Sequence, residues 1–180
     1  LDQSSNSIAI GNASGKNNQD SLSVSIGSQT GHDNQGQGSI GLGHQTAFQN
    51  QGNFSVAIGY SESNIDQSNN CISIGYFAGS QSQSENSIAI GKLTGNNSQG
   101  ADCIEFGDHA GETHQLTEAI AIGHEAGQTS QGYHSISIGH GAWKTNQLTS
   151  SIETGQEAGK TRQGSQSTAR GDELVTINQL

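Results

Sequence analysis

Hydrophobic and polar positions alternate in a five-residue segment that returns throughout the chain. Its clearest copy reads Ser-Ile-Ala-Ile-Gly and ends at Gly91. Strict alternation predicts a β-strand with two faces, one holding the two Ile side chains and the other only Ser, Ala and Gly. We expect the Ile face to form the core, because β-branched side chains suit a buried strand. The smooth second face then predicts close packing against another surface.

The segment returns at a fixed interval of 16 residues. A Gln stands eight residues after each segment's glycine, from Gln19 to Gln179, and Gln3 extends this column by one repeat. A fixed period of this size is typical of a solenoid, in which the Gln amides stack and bond along the axis. About ten coils at about 4.8 Å each predict a rod about 50 Å long. The repeat glycines are Gly11, Gly27, Gly43, Gly59, Gly75, Gly91, Gly107, Gly123, Gly139, Gly155 and Gly171.

Two further columns predict the corners of each coil. Four residues after the repeat glycine there is usually a second glycine, which we expect to adopt a positive φ. The residue before it is mostly small and is expected to point inward. These columns are Gly15, Gly31, Gly79, Gly95, Gly111, Gly127 and Gly159, and Ala78, Thr94, Ala110, Ala126, Ala142 and Ala158.

Composition modifies this interpretation in a few respects. The 180 residues have 29% hydrophobic content and a mean hydropathy of −0.61, values usually typical of disorder, but the strict period indicates a thin repeated core. The absence of Pro agrees with continuous backbone ladders. A net charge of −10 disfavours nucleic acid and anionic membranes as partners. No apolar run is long enough for direct membrane insertion. Leu1 falls within a repeat, so we expect a segment of a longer protein.

The repeats resemble a known family. The motif of YadA-like heads, from the trimeric autotransporter adhesins, is Asn-Ser-Val-Ala-Ile-Gly, and residues 6–11 and 86–91 match it with Ile for Val. Residues 173–180, Glu-Leu-Val-Thr-Ile-Asn-Gln-Leu, resemble the family's neck motif, Asp-Ala-Val-Asn-Val-Ala-Gln-Leu. The resemblance implies an all-β fold, a left-handed parallel β-roll assembled as a homotrimer. Residues 1–171 would form the head, and residues 172–180 the neck that leads into a stalk.

The resemblance also implies an interface and a function. The small face would pack against neighbouring subunits through Ser7, Ala9, Gly11, Ser55, Ala57, Gly59, Ser87, Ala89, Gly91, Ser135, Ser137 and Gly139. The function implied is non-enzymatic adhesion to a host surface protein, glycan or matrix, at the extracellular surface of a bacterium. Similar repeats occur in viral and phage fibres, so host attachment from a virion surface is the alternative. A monomeric ice-binding or scaffold solenoid is a third interpretation.

Aromatic side chains are the candidates for surface recognition. Tyr60, Tyr76, Phe77 and Trp143 follow the strands, and exposed aromatic residues commonly anchor recognition surfaces. Packing at the corners of the coil is the alternative.

The sequence predicts no catalytic, cofactor or metal site. Ser, His and Asp are plentiful, but the repeat spreads them along the stack. His124 and His140 fall in one column, about 5 Å apart, and are expected to be solvated. Thr113, Thr129, Thr145 and Thr161 form a column of the kind found on ice-binding solenoids, which a plain exposed strand also explains.

Two Glu and two Cys residues stand in the columns that otherwise hold small side chains on the second face of the strands. Glu105 and Glu153 replace Ala or Ser, so we expect three like charges to splay the subunit interface there. Cys71 and Cys103 lie two coils apart, beyond the reach of an intrachain disulfide, so we expect free thiols. A disulfide between chains is the alternative if that face meets copies of itself. Residues 170–172 spell Arg-Gly-Asp, in which the repeat already requires the glycine, so an integrin role is not expected.

Overall fold

The computed structural model describes residues 3–61, 65–159 and 165–171. These residues form an all-β parallel solenoid of about ten turns, with coils of about 16 residues, as the repeat predicts. The neck at 172–180 lies outside the described residues, as do Thr161, Gln163 and the Asp of the Arg-Gly-Asp sequence. Among the described residues, no helix has the length and hydropathy needed to cross a membrane.

The Ser-Ile-Ala-Ile-Gly segments form one eleven-stranded sheet. Each strand pairs in parallel with the strand one repeat away, so Ile88 lies between Ile72 and Ile104. The strands are β1 Ile8–Ile10, β3 Val24–Ile26, β5 Ile40–His44, β7 Val56–Tyr60, β9 Ile72–Tyr76, β11 Ile88–Lys92, β13 Ile104–Phe106, β15 Ile120–Ile122, β16 Ile136–Ile138, β17 Ile152–Thr154 and β18 Thr168–Arg170.

The Gln column forms the second sheet, which has seven strands. Isolated parallel bridges continue it from Thr113 to Thr129 and Thr145. The strands are β2 Asn17–Gln19, β4 Asp33–Gln35, β6 Gln49–Gln51, β8 Ile65–Gln67, β10 Gln81–Gln83, β12 Asn97–Gln99 and β14 Thr113–Gln115.

Both glycine columns have positive φ angles. The corner glycines adopt the left-handed conformation, with φ of 52° at Gly95, which confirms the prediction. The repeat glycine has a second role, because its φ of 140° at Gly91 comes with a very close approach of the next coil. A Cβ atom on Gly91 would lie 2.2 Å from the carbonyl oxygen of Gly107. Glycine at this position therefore sets the coil-to-coil spacing.

The prediction that the Ile side chains form the core is wrong. Ile10 is 58% exposed and Ile138 is 38% exposed, whereas Ala89 and Ser137 between the Ile columns are fully buried. Alternation with period two defines two faces but does not say which one is interior. In this narrow coil the first sheet contributes one small residue to the interior and the second contributes one Gln, further small residues fill the space between them, and the bulkier Ile side chains lie outside.

The other interior columns follow the prediction. The small residues before the corner, such as Ala110 and Ala126, are fully buried, and both pack with Ala121. Cys71 and Cys103 are free and fully buried. Their thiols donate to the carbonyls of Ser84 and Leu116. An interchain disulfide from these positions is therefore excluded while the coil is folded.

Candidate functional site

The most distinctive surface of the chain is an apolar stripe on the eleven-stranded sheet, which we call the isoleucine band. Two outward-facing columns of side chains make it up, and β17 and β18 end it with Thr154, Thr168 and Arg170. Its members are Ile8, Ile10, Val24, Ile26, Ile40, Leu42, Val56, Ile58, Ile72, Ile74, Ile88, Ile90, Ile104, Phe106, Ile120, Ile122, Ile136, Ile138 and Ile152.

The isoleucine band is large for a single chain. The ten strands that carry the band, at about 4.8 Å each, make it about 50 Å long, and two outward positions per strand make it roughly 12 Å wide, or roughly 600 Å². The largest apolar patch on a typical monomer is about 300–600 Å² and is often functional. The most protruding side chain in its middle is Phe106, which is 54% exposed. A surface of this kind is suited to binding another apolar surface.

Three of the predicted aromatic residues meet at one edge of the isoleucine band. The rings of His44, Tyr60 and Tyr76 stack along the axis, with centroids 5.0 and 5.5 Å apart. Phe77 packs edge-on against Tyr76 at 4.7 Å. The two Tyr side chains are 45% and 47% exposed although their rings stack on each other, so part of each ring is open to a partner. Trp143 is 5% exposed, so the prediction of a surface role for it is wrong: its bulk packs at a corner.

The predicted subunit interface on the small face is also wrong. Ser55, Ala57, Ser87, Ala89, Ser135 and Ser137 are fully buried inside their own chain and cannot contact a neighbour. Ser7 and Ala9 occupy the same columns in the first described coil and are partly exposed. Gly11, Gly91 and Gly139 lie against the next coil, where a Cβ atom would meet the backbone at 2.0–2.3 Å, and Gly59 lies equally close to Gly43 of the preceding coil. Only the band side of these strands is free to meet another chain.

Behind the isoleucine band, the buried Gln column holds the coil together by hydrogen bonds. The constant bond runs from the Gln amide to the carbonyl of the residue eleven positions earlier, for example from Gln83 to Ile72 at 3.2 Å. Gln115 is the exception among the described coils and donates to Thr113 and Gly127 instead. The predicted amide-to-amide bond occurs at some steps, as from Gln67 to Gln83 at 3.0 Å. The ladder therefore links the two sheets as well as successive coils.

A Ser between the two Ile columns gives the Gln oxygen a hydrogen-bond donor, whereas an Ala does not; beside Gly41, the Gln51 oxygen instead accepts from Gln35. Ser25, Ser73 and Ser137 donate to the Oε1 of the Gln in their own coil, at 2.5, 2.7 and 2.8 Å. Where Ala stands in this place, the Gln oxygen has no donor. Those unpartnered oxygens belong to Gln19, Gln67, Gln99 and Gln131.

Glu105 and Glu153 occupy that same interior column, so the prediction that they splay a subunit interface is wrong. Both carboxyls are fully buried within their own chain. Desolvation raises the pKa of Glu105 well above its usual range and raises the pKa of Glu153 to about 8. The Gln147 amide donates to Glu153, whereas Glu105 has no hydrogen-bond partner. Sequence reasoning missed these interior acids because it placed their column on the outside.

Charged side chains elsewhere form small surface pairs. Lys144 lies 2.7 Å from Glu125 and holds the pKa of that carboxyl below its usual value. The rings of His124 and His140 stack at 5.0 Å. Within the described ranges, no group of three or more His, Cys, Asp or Glu side chains could hold a metal ion. These pairs define no site of their own.

A scan against protein-family models, a search of curated proteins and a search of solved structures each found no match. Function is therefore inferred from the geometry of this chain and from the resemblance of its repeats.

Proposed function

We propose that the chain is a non-enzymatic structural rod that associates with copies of itself through the isoleucine band and serves as an adhesive head. The observation that carries the proposal is the partial exposure of this continuous apolar stripe, while the interior behind it is filled mainly by small side chains and Gln. The association proposed is a homotrimer of left-handed β-rolls. The number of chains and the handedness come from the resemblance to YadA-like heads.

The size of the isoleucine band supports stable self-association. Burying roughly 600 Å² per chain contributes roughly 15 kcal/mol at about 25 cal/mol per Å². This is at least comparable to the estimated cost of association, about 4–15 kcal/mol in lost translational and rotational freedom. Copies arranged in parallel around a common axis would place all their bands at the centre. The edge column of His44, Tyr60 and Tyr76 would then border the groove between neighbouring chains.

The remaining surface is suited to presenting a regular polar pattern. Along the second sheet, Asn18, Asn34, Asn50 and Asp66 form a chain of exposed side-chain hydrogen bonds at 2.9, 2.9 and 2.8 Å. Such a ladder holds similar polar groups at the spacing of one coil. Together with the aromatic column of the first sheet, these repeated polar groups favour a host glycan, surface protein or matrix as the partner. The same rod would serve equally as a virion fibre, which is the alternative location.

Two double variants, one with charges on each sheet, test the proposed adhesion. Ile74→Glu/Ile90→Glu places two charges in the isoleucine band, and Gln81→Glu/Asn97→Glu places the same charges on the second sheet. Beads coated with each chain are passed over cultured epithelial cells and over immobilised matrix proteins. Retention by the wild type and the second variant, with loss in the first, supports the proposal. Equal retention of all three, or none, contradicts it.

A further inference from the structure

Glu105 is the most unusual residue of the interior. It stands at the centre of β13, in a column filled elsewhere by Ala, Ser or Gly except at Glu153. It is fully buried, and neither carboxyl oxygen has a hydrogen-bond partner among the described residues. Its neighbours in the sheet are Ala89 and Ala121, which offer no donor from their side chains.

The groups around Glu105 are acceptors without donors. A Cβ atom placed on Gly95 would lie 2.9 Å from Oε2 of Glu105 and 3.1 Å from Oε1 of Gln99, so these two oxygens lie near the same point. The Oε1 atoms of Gln99 and Gln115 also lack donors, and both side chains are buried. Four buried oxygen atoms therefore occur around β13 with no hydrogen atom between them.

We propose that Glu105 is a proton-binding site in the core, which the folded chain holds as a neutral acid donating to the amide oxygen of Gln99. The carboxyl hydroxyl then donates to a buried Gln oxygen, as the Ser73 hydroxyl does to Gln83, but the Gln that accepts it belongs to the preceding coil. Loss of this proton leaves an unpaired charge in the core and destabilises the coils around β13. The stability of the rod is thereby coupled to pH.

Among the residues that the structure describes, no cation faces this carboxyl. The strands on either side contribute Ala89 and Ala121, and the opposite sheet contributes the neutral amides of Gln99 and Gln115. The titratable neighbour is the Cys103 thiol, whose pKa is raised to about 12, first by desolvation and then by Glu105. In agreement, desolvation raises the pKa of Glu105 well above its usual range.

The sign of the pH dependence follows from this raised pKa. Below the usual carboxyl pKa, both folded and unfolded chains are protonated and no stability is lost. As the pH rises above it, the unfolded chain releases the proton and the folded chain does not, so stability falls. The fall ends only above the pKa of the folded state. Glu153, with a pKa of about 8, acts in the same direction.

Urea unfolding of the full chain at several pH values tests the proposal. With both acids present, the unfolding constant should rise about 100-fold per pH unit between about pH 5.5 and 7, and Glu105→Gln should reduce this to about tenfold. Glu85→Gln, at an exposed position, should keep the wild-type slope. An unchanged slope in Glu105→Gln overturns the proposal.

Two further measurements extend this test. The first needs no variant, in case Glu105→Gln does not fold, and the second distinguishes a bound proton from a bound cation. In wild-type protein with carbon-13-labelled glutamate, two carboxyl resonances, those of Glu105 and Glu153, should keep the shift of the protonated form at pH 7. If the Glu105 resonance titrates near its ordinary pKa, the proposal is wrong. Calcium chloride added at pH 8.5 should not restore stability. Restoration in the wild type but not in Glu105→Gln would identify a cation, not a proton, as the ligand.

Discussion

Removing one Gln from the buried column should destabilise the chain far more than removing an exposed Gln from the same strand. Gln83 and Gln81 both lie in β10, two residues apart. The Gln83 amide donates to the carbonyls of Ile72 and Ser87, and its oxygen accepts from Ser73 and Gln67. Gln81 points to solvent.

The structure gives the size of the effect. Four hydrogen bonds are lost in Gln83→Ala, each with a net value of about 0.5–1.5 kcal/mol, and buried groups left without a partner cost about 1–3 kcal/mol each. We therefore expect a loss of at least about 3 kcal/mol, against less than about 0.5 kcal/mol for Gln81→Ala. Gln83→Leu, which keeps the volume but makes no hydrogen bonds, should also be strongly destabilised.

Equilibrium urea unfolding followed by circular dichroism measures these differences. All variants must be compared at one chain concentration, because association also contributes to stability. A Gln83→Ala variant as stable as Gln81→Ala would refute the role assigned to the Gln column. A Gln83→Leu variant as stable as the wild type would show that volume alone matters there.

Two other predictions concern the glycine and cysteine columns. Gly91→Ala should lower the free energy of unfolding by at least about 2 kcal/mol more than Gly141→Ala does. A Cβ atom at Gly91 would meet the Gly107 backbone, whereas the nearest atom to a Cβ atom at Gly141 is 3.7 Å away. Equal urea midpoints for the two variants would contradict this prediction. Iodoacetamide at pH 8 should label Cys71 and Cys103 only in urea, since both are buried and burial raises the pKa of their thiols to about 11 and about 12. Mass spectrometry showing rapid labelling of the native chain would disprove this burial.

The repeat predicted the strands, their register and the corners, because each depends on one column of the sequence. Gly91 and Gln99 belong to columns that are kept in every coil, and a 16-residue period permits only one alignment of neighbours. Parallel pairing follows directly, as between Ile88 and Ile104. These features depend on spacing alone and not on which face is buried.

The face that lies inside could not be obtained from alternation, and the rule that apolar residues are buried gave the wrong answer. The Gln column contained the missing signal. An unbroken series such as Gln83 and Gln99 is typical of buried side chains that must make hydrogen bonds, and residues opposite a buried Gln must be small. That reasoning would have placed Ala89 inside and Ile90 outside, and with them Glu105 in the core. The one-coil spacing of Tyr60 and Tyr76 agrees with the stacking of their rings. For Trp143 the alternative of corner packing was correct, but the sequence pattern did not distinguish it from a surface role.

The mass of the chain in solution tests the central claim most directly. Sedimentation equilibrium should give three times the 18.6 kDa of one chain for the wild type and for Gln81→Glu/Asn97→Glu. Ile74→Glu/Ile90→Glu should give the mass of one chain while its circular dichroism remains that of β-structure. A folded wild-type monomer at high concentration would contradict association through the isoleucine band and favour a monomeric scaffold or ice-binding solenoid. A trimer that survives the charges in the band would show that its interface lies elsewhere.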